Sequence, residues 1–333
     1  MIPALLSFLL LAAVLGVYAF ALSRRYEALY PVKGELVDVG PGALHVVETA
    51  AQGGERGAVL LVHGASGNFA DLHEALAAPL AAEGFRVFSV DRPGHGWSDR
   101  LGARSLASSP ERQAEWLRAA LQARGVERAI VVVHSLAGVL GLAMALNAKA
   151  FVRGLVLLAP VSHPWPGGVS WYYSVAASRA VGPLFRWLLA PLGARLYMRR
   201  GLAEVFAPNP TPSDYIRRTR LPLMLRPSHF RANAEDVVDI EAHVAALSPR
   251  YREIDVPTAI VTGDADGVVY AHIHSEGCAR DIPGATLTVL EGVGHSPHYA
   301  APEKVVATIL EIDRRAREAE GREVASGEGE FAG

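Results

Sequence analysis

Three short polar clusters, each after a strand-like run, hold the residue types that nucleophilic catalysis needs. His134-Ser135-Leu136-Ala137-Gly138 follows Ala129-Ile130-Val131-Val132-Val133. Thr262-Gly263-Asp264-Ala265-Asp266-Gly267-Val268-Val269 follows a run ending at Val261. Glu291-Gly292-Val293-Gly294-His295-Ser296-Pro297-His298 follows one ending at Leu290. A serine hydroxyl is a weak nucleophile until a base takes its proton, and an imidazole is a better base when a carboxylate fixes its tautomer. In chain order the clusters supply a serine, a carboxylate and a histidine. Each has a plainer alternative: serine between strand and helix is also an ordinary N-cap, Asp264 competes with Asp266, and His298 with His295.

The elements that must carry these residues read as alternating strands and helices. The valine run 129–133 reads as a strand buried on both faces, and Leu136 to Leu146 as a helix whose first N–H groups point back at Ser135. Glu35 to Val39 and Ala43 to Thr49 flank Gly40-Pro41-Gly42 in a hairpin pattern. Further strands fall at Ala58 to Val62, Arg86 to Val90, Gly154 to Leu158, Thr258 to Val261 and Thr286 to Leu290, separated by helices. Such alternation implies a mostly parallel sheet with helices on both faces, and sites in such sheets lie at the carboxyl ends of the strands.

Composition bounds the function. The chain has 333 residues, 50% of them hydrophobic, enough for a large core, and a net charge of −2 gives no reason to expect a nucleic-acid partner. The lone Cys278 leaves no internal disulfide and no Cys-x-x-Cys metal or redox site. Ile2 to Leu22 is almost wholly apolar and closed by Arg24 and Arg25. At about 1.5 Å per residue it spans roughly 30 Å, one hydrocarbon core. Residues 1–25 therefore read as an anchor that keeps the rest of the chain cytoplasmic, with a cleaved signal ending near Ala19-Phe20-Ala21 as the alternative. The Glu- and Gly-rich stretch 318–333 reads as a disordered tail.

Taken together, the His63-Gly64 loop, Asp91-Arg92-Pro93-Gly94-His95-Gly96-Trp97-Ser98, the His134-Ser135 elbow, and the Gly263-x-x-Asp266-x-x-Val269 and Gly294-His295 pairs resemble an α/β-hydrolase. The resemblance covers 35–317 and implies a core of 34–161 and 257–317, with a helical cap at 162–256. It implies Ser135 as nucleophile, His295 as base, Asp266 as the acid that orients it, and the N–H groups of Ala65 and Leu136 as oxyanion hole. His63, Asp91 and His95 read as structural. His134 reads as a support of the elbow and, with Trp165, Trp171 and Tyr172, as a candidate for substrate contact. Neither a cofactor nor a metal is expected.

Two features qualify the match. The usual Gly-x-Ser-x-Gly elbow is Val133-His134-Ser135-Leu136-Ala137 here, and bulky Val133 stands where close backbone approach favours glycine. The cap also carries Arg195, Arg199, Arg200, Arg217, Arg218, Arg220, Arg226 and Arg231, either a paired solvated face or one that meets anionic lipid. The expected activity is hydrolysis of an apolar small or medium carboxylic ester through an acyl-enzyme. The alternatives are C–C bond hydrolysis, lyase or perhydrolase chemistry on the same scaffold, or a non-catalytic binding protein.

Overall fold

The computed structural model describes residues 2–330. One sheet contains β1 (Glu35–Asp38), β2 (Ala43–Thr49), β3 (Gly57–Val62), β4 (Phe85–Val90), β5 (Ala129–His134), β6 (Val152–Leu158), β7 (Thr258–Gly263) and β8 (Thr286–Leu290). Its spatial order is β1-β2-β4-β3-β5-β6-β7-β8. The hairpin β1–β2 is antiparallel and β2 meets β4 antiparallel. All neighbours from β4 to β8 run parallel.

Around the sheet lie α1 (Ile2–Leu29), α2 (70–82), α3 (Pro110–Gln122), α4 (Gly138–Asn147), α5 (Trp171–Ala177), α6 (Gly182–Leu188), α7 (Ala190–Phe206), α8 (Pro227–Leu247), α9 (Ser275–Asp281) and α10 (Pro302–Glu330). Every residue of β5 is buried. Because side chains alternate along a strand, Val131 and Val133 join the core under α3, α4 and α8, while Ile130 and Val132 join the opposite core with Leu72, Leu76, Val305 and Ile309. The two-sided apolar run is therefore the central strand. Helices α5 to α8 form one insertion between β6 and β7.

Two terminal elements run further than the sequence pattern indicates. Helix α1 continues through Arg24 and Arg25 to Leu29, and its segment Leu5–Leu29 is long and apolar enough to cross a membrane. The last helix continues past Arg317 to Glu330, against the disordered tail expected from Glu318. Glu320 there accepts from Arg128 at 2.8 Å and Arg153 at 2.9 Å, so part of the acidic stretch that composition reads as solvated is paired to the core. Residues 331–333 of that stretch lie outside the described residues.

Val133 is fully buried, and the room for it comes from across the interface. A Cβ on Gly141 of α4 would stand 2.8 Å from Val133 Cγ2 and 3.1 Å from Leu155 Cδ1. The small residue that accommodates Val133 is Gly141, eight positions further along the chain. Gly141→Ala should be destabilising in the native background, since overpacking costs roughly 1–3 kcal/mol against about 1 kcal/mol returned by helix propensity. In Val133→Ala the same change should become stabilising. Urea midpoints of the four variants measure this, and an unchanged sign in both backgrounds would contradict the packing.

Histidines are buried at several core positions. Burial holds His63 and His274 down to about 4 and keeps His95 and His229 well below the ordinary imidazole range. A folded-state value below the unfolded one, near 6.5, means that the unfolded chain binds more protons between the two. Stability is then fully present above about pH 6.5 and is lost progressively toward about pH 4. His63 alone accounts for on the order of 3 kcal/mol of this loss. A thermal midpoint that stays level from pH 7 to pH 4.5 would overturn neutral burial of these rings.

Candidate active site

The three clusters meet at the carboxyl end of the sheet. Ser135 leaves β5 with φ of +54°, in the left-handed region that an L-residue avoids. A single 3-10 turn, Ser135–Ala137, separates it from α4. The turn is clamped from several directions. The Ser135 carbonyl accepts the Val161 N–H at 2.9 Å. From the other side Gly64 approaches so closely that a Cβ there would lie 2.9 Å from Ser135 Cβ.

Ser135 Oγ lies 2.8 Å from His295 Nε2, and His295 Nδ1 lies 2.8 Å from Asp266 Oδ2. A carboxylate accepts, so Nδ1 carries the proton and Nε2 is free to accept from the hydroxyl. Asp266 is itself held by the N–H groups of Val268 at 2.8 Å and Val269 at 2.9 Å, both on Oδ1. Asp264 points elsewhere and accepts the Gly292 N–H at 2.7 Å, tying the β7 and β8 loops together. His298 does not join this chain of bonds; it lies against His134, with ring centroids 4.6 Å apart.

The structural readings of the neighbouring loop residues agree with the contacts. His63 Nδ1 donates to the Gly64 carbonyl and Nε2 accepts the Arg92 N–H. Asp91 accepts from the backbone of Phe69 and Trp97 and pairs with His45. His95 lies beside the Arg92 guanidinium at 3.1 Å. His134 is only 6% exposed, with Nε2 donating to the His295 carbonyl at 2.9 Å, so it is a strut between the two segments.

The aromatic candidates fall differently. Trp171 is 71% exposed, Tyr172 packs with Tyr173, Phe185 and Phe230 in the insertion's own core, and Trp165 stacks edge-on against His274. Aromatic residues at helical spacing here fill a small helical core. Burial and the adjacent Tyr172 push the Tyr173 phenol up, and it reaches the Ser66–Asn233 pair. The basic residues are mostly paired or buried: Arg200 with Glu204, Arg217 with Asp214, Arg218 with Glu74, Arg231 with Glu235, and Arg226 against Trp97 and Glu27.

Several residues that shape the site carry no local sequence signal. Asn233 of α8 accepts the Ser66 N–H at 2.6 Å and donates to Ser66 Oγ, fixing the turn after Ala65. Arg92, 1% exposed, pairs with Asp236 of α8 at 2.7 Å, and Arg100 reaches both Asp236 and Glu235. These contacts join partners more than a hundred residues apart in the chain, which no motif encodes. A second string, Ser162, His163 and Asp281, is linked at 2.8 and 3.1 Å, but Ser162 is fully buried and its hydroxyl also donates to the His274 carbonyl. Its serine is out of reach of a substrate.

Comparison with known proteins agrees with this architecture. An uncharacterized protein of Mycobacterium tuberculosis is 25% identical over 303 residues, covering 86% of this chain and 84% of its own. A 2-hydroxy-6-oxononadienedioate/2-hydroxy-6-oxononatrienedioate hydrolase of Burkholderia vietnamiensis is 26% identical, covering 78% of this chain and 87% of its own. The solved esterase of Exiguobacterium antarcticum superposes with a TM-score of 0.65 at 19% identity, covering 85% of this chain and 100% of that one. The sequence profile of the alpha/beta hydrolase fold matches residues 57–302. The chain belongs to the alpha/beta hydrolase fold family.

Proposed function

We propose that the protein is a serine hydrolase that cleaves carboxylic esters of small or medium apolar substrates through an acyl-enzyme. The observation that carries this reading is the unbroken bond chain Ser135–His295–Asp266, 2.8 Å at each step. His295 takes the Ser135 proton as the hydroxyl attacks the carbonyl carbon and returns it to the departing alkoxide. Water then repeats the sequence on the acyl-enzyme and releases the acid. Asp266 keeps the proton of the resting imidazole on Nδ1 and stabilises the imidazolium. The N–H groups of Ala65 and Leu136 receive the oxyanion, a role supported by the contact of Gly64 with Ser135 and the bracing of Ser66 by Asn233. One such donor is typically worth on the order of 3 kcal/mol of barrier. The insertion, residues 162–256, acts as the cap over this site.

A second reading, C–C bond hydrolysis, draws on the Burkholderia vietnamiensis relative, whose name describes a hydrolase of an oxo-dienedioate. A panel of aryl esters and vinylogous diketones separates the two. A fluorophosphonate should label the wild type and not Ser135→Ala. Labelling of His295→Ala should fall by several orders of magnitude, and ester turnover by Asp266→Asn by roughly 10⁴-fold. A folded wild type that takes no label would remove the serine-hydrolase reading.

The site also belongs beside a membrane in this reading. On α1, Leu6, Leu10 and Val17 are 60%, 67% and 68% exposed. Helix α6 packs on α1, and Arg195 of α7 donates to Tyr18 at 3.2 Å. The adjoining α6–α7 surface exposes Leu184, Trp187, Leu189, Leu192, Leu196 and Tyr197. Such a large contiguous apolar surface suits lipid contact. A cleft of about 510 Å³ at the end of α1 is lined by Leu29, Phe69, Lys33, Arg217, Arg218 and Arg220 together with Glu74, an excess of basic groups that suits an anionic headgroup. The protein is then a single-pass membrane enzyme with its catalytic domain on the cytoplasmic side, export after signal cleavage being the other topology. The full-length chain should stay in the membrane pellet after carbonate extraction and keep its first residues by intact mass. A mature chain shortened near Ala21 would replace the anchor by a signal.

A further inference from the structure

Behind the nucleophile turn, side chains from three separate segments converge. Asp71 lies in the first turn of α2, His134 ends β5, and His298 stands three residues beyond His295. Their ligating atoms lie within 4.8 Å of one another, all buried. His134 Nδ1 is 3.8 Å from Asp71 Oδ2, and His298 Nε2 is 3.7 Å from Asp71 Oδ1. Both gaps exceed the roughly 3 Å of an N–H···O bond. Neither nitrogen of the fully buried His298, nor Nδ1 of His134, has a protein hydrogen-bond partner among the described residues.

The tautomer of His134 sharpens the conflict. Its Nε2 donates to the His295 carbonyl, which can only accept. In the neutral ring the other nitrogen then carries no proton. Its Nδ1 is then a bare lone pair. Across from it, 3.8 Å away, stands Asp71 Oδ2, whose partner oxygen Oδ1 accepts the Tyr215 hydroxyl. A lone pair and a carboxylate facing each other in a dry site repel unless positive charge stands between them.

We propose that Asp71, His134 and His298 form a binding site for a divalent transition-metal cation, Zn²⁺ being the best match. Two neutral imidazoles and a carboxylate are a ligand set that Zn²⁺ favours, with a fourth tetrahedral position left to solvent. At bond lengths of about 2.0–2.2 Å, tetrahedral ligand atoms sit roughly 3.3–3.6 Å apart. The two Asp71 gaps are close to this but reach different carboxylate oxygens, and atoms that lie within 4.8 Å of one another must draw together on one cation, by about 1 Å for the widest pair. The outer contacts fit as well. A metal-bound histidine characteristically donates its other N–H to a carbonyl, as His134 does, and a ligating carboxylate is itself hydrogen-bonded. Tyr215 donates to Asp71 Oδ1 at 2.7 Å, and Tyr299 to the Asp71 carbonyl at 2.8 Å. The cation joins α2, the residue before Ser135 and the segment after His295. It holds these in position and touches neither substrate nor the reacting atoms. The site is one the chain's motifs give no hint of, since its three ligands lie 63 and 164 residues apart.

The test is a titration of the full chain in detergent micelles, stripped with a chelator, using Co²⁺ and Zn²⁺ separately. The wild type should take up one equivalent, give the intense visible absorption of tetrahedral Co²⁺, and rise in thermal midpoint with Zn²⁺. His298→Gln and Asp71→Asn should lose the Co²⁺ spectrum, Tyr215→Phe should bind about 10- to 100-fold more weakly, and Ser135→Ala should bind like the wild type. Circular dichroism identifies the variants that remain folded. A folded wild type that takes up no equivalent of either ion overturns the proposal without recourse to any variant. So does an unchanged Co²⁺ spectrum in both folded ligand variants.

Discussion

The backbone of Ser135 is the constraint on which the rest of the molecule depends. A serine at φ +54° is in a conformation that costs about 1–2 kcal/mol, and the chain keeps it only because its surroundings allow no alternative. Strand β5 enters the turn from a two-sided core, and α4 leaves it against Val133, with Gly141 making room. The Gly64 turn presses on one side and the Val161 N–H holds the carbonyl on the other. This geometry lifts the hydroxyl toward His295, while the N–H of Gly138, the first residue of α4, closes back on the Ser135 carbonyl. Strain at the turn and reach of the hydroxyl have the same origin.

What the sequence discloses follows from how local each signal is. The strands were legible because a strand buried on both faces must be apolar at every position, as 129–133 is. Ser135 was legible because it directly follows such a strand; Asp266 and His295 stand in the loops after β7 and the more exposed β8, and the ends of parallel strands gather in space. Asp264 and Asp266 differ by two positions, yet only Asp266 reaches His295; the former closes a loop on Gly292. The aromatic run in the insertion was misleading in a physical way, because packing a small helical core and lining a pocket call for the same residues. Tyr172 does the first.

Long-range polar contacts were the least visible. Asn233 sits in an ordinary-looking helix, and nothing near it announces that its amide holds the backbone of Ser66. The acidic stretch after Arg317 illustrates the same limit from the other side. Composition reads it as solvated, whereas Glu320 has two arginine partners supplied by β6 and the loop before β5. Charge pattern within a segment does not report charge across the fold.

The buried ion pair between Arg92 and Asp236 divides the insertion into two mechanically unequal parts. Lifting α8 away from the core would strand a guanidinium that is 1% exposed, and breaking such a pair costs roughly 3–5 kcal/mol. That cost alone would hold an opened α8 to about one molecule in 150 or fewer, and α8 also buries Val237, Ile240, Val244 and Leu247 in the core. Among the described residues α6 and α7 make no buried ion pair with the core; α6 rests on α1, and α7 reaches it through Arg195 and Tyr18. The insertion is thereby stiffer on the α8 side than on the side that rests on the N-terminal helix. Any opening of the insertion would begin at the yielding wall, and the α8 wall would remain to hold the Ser66 turn in register through Asn233.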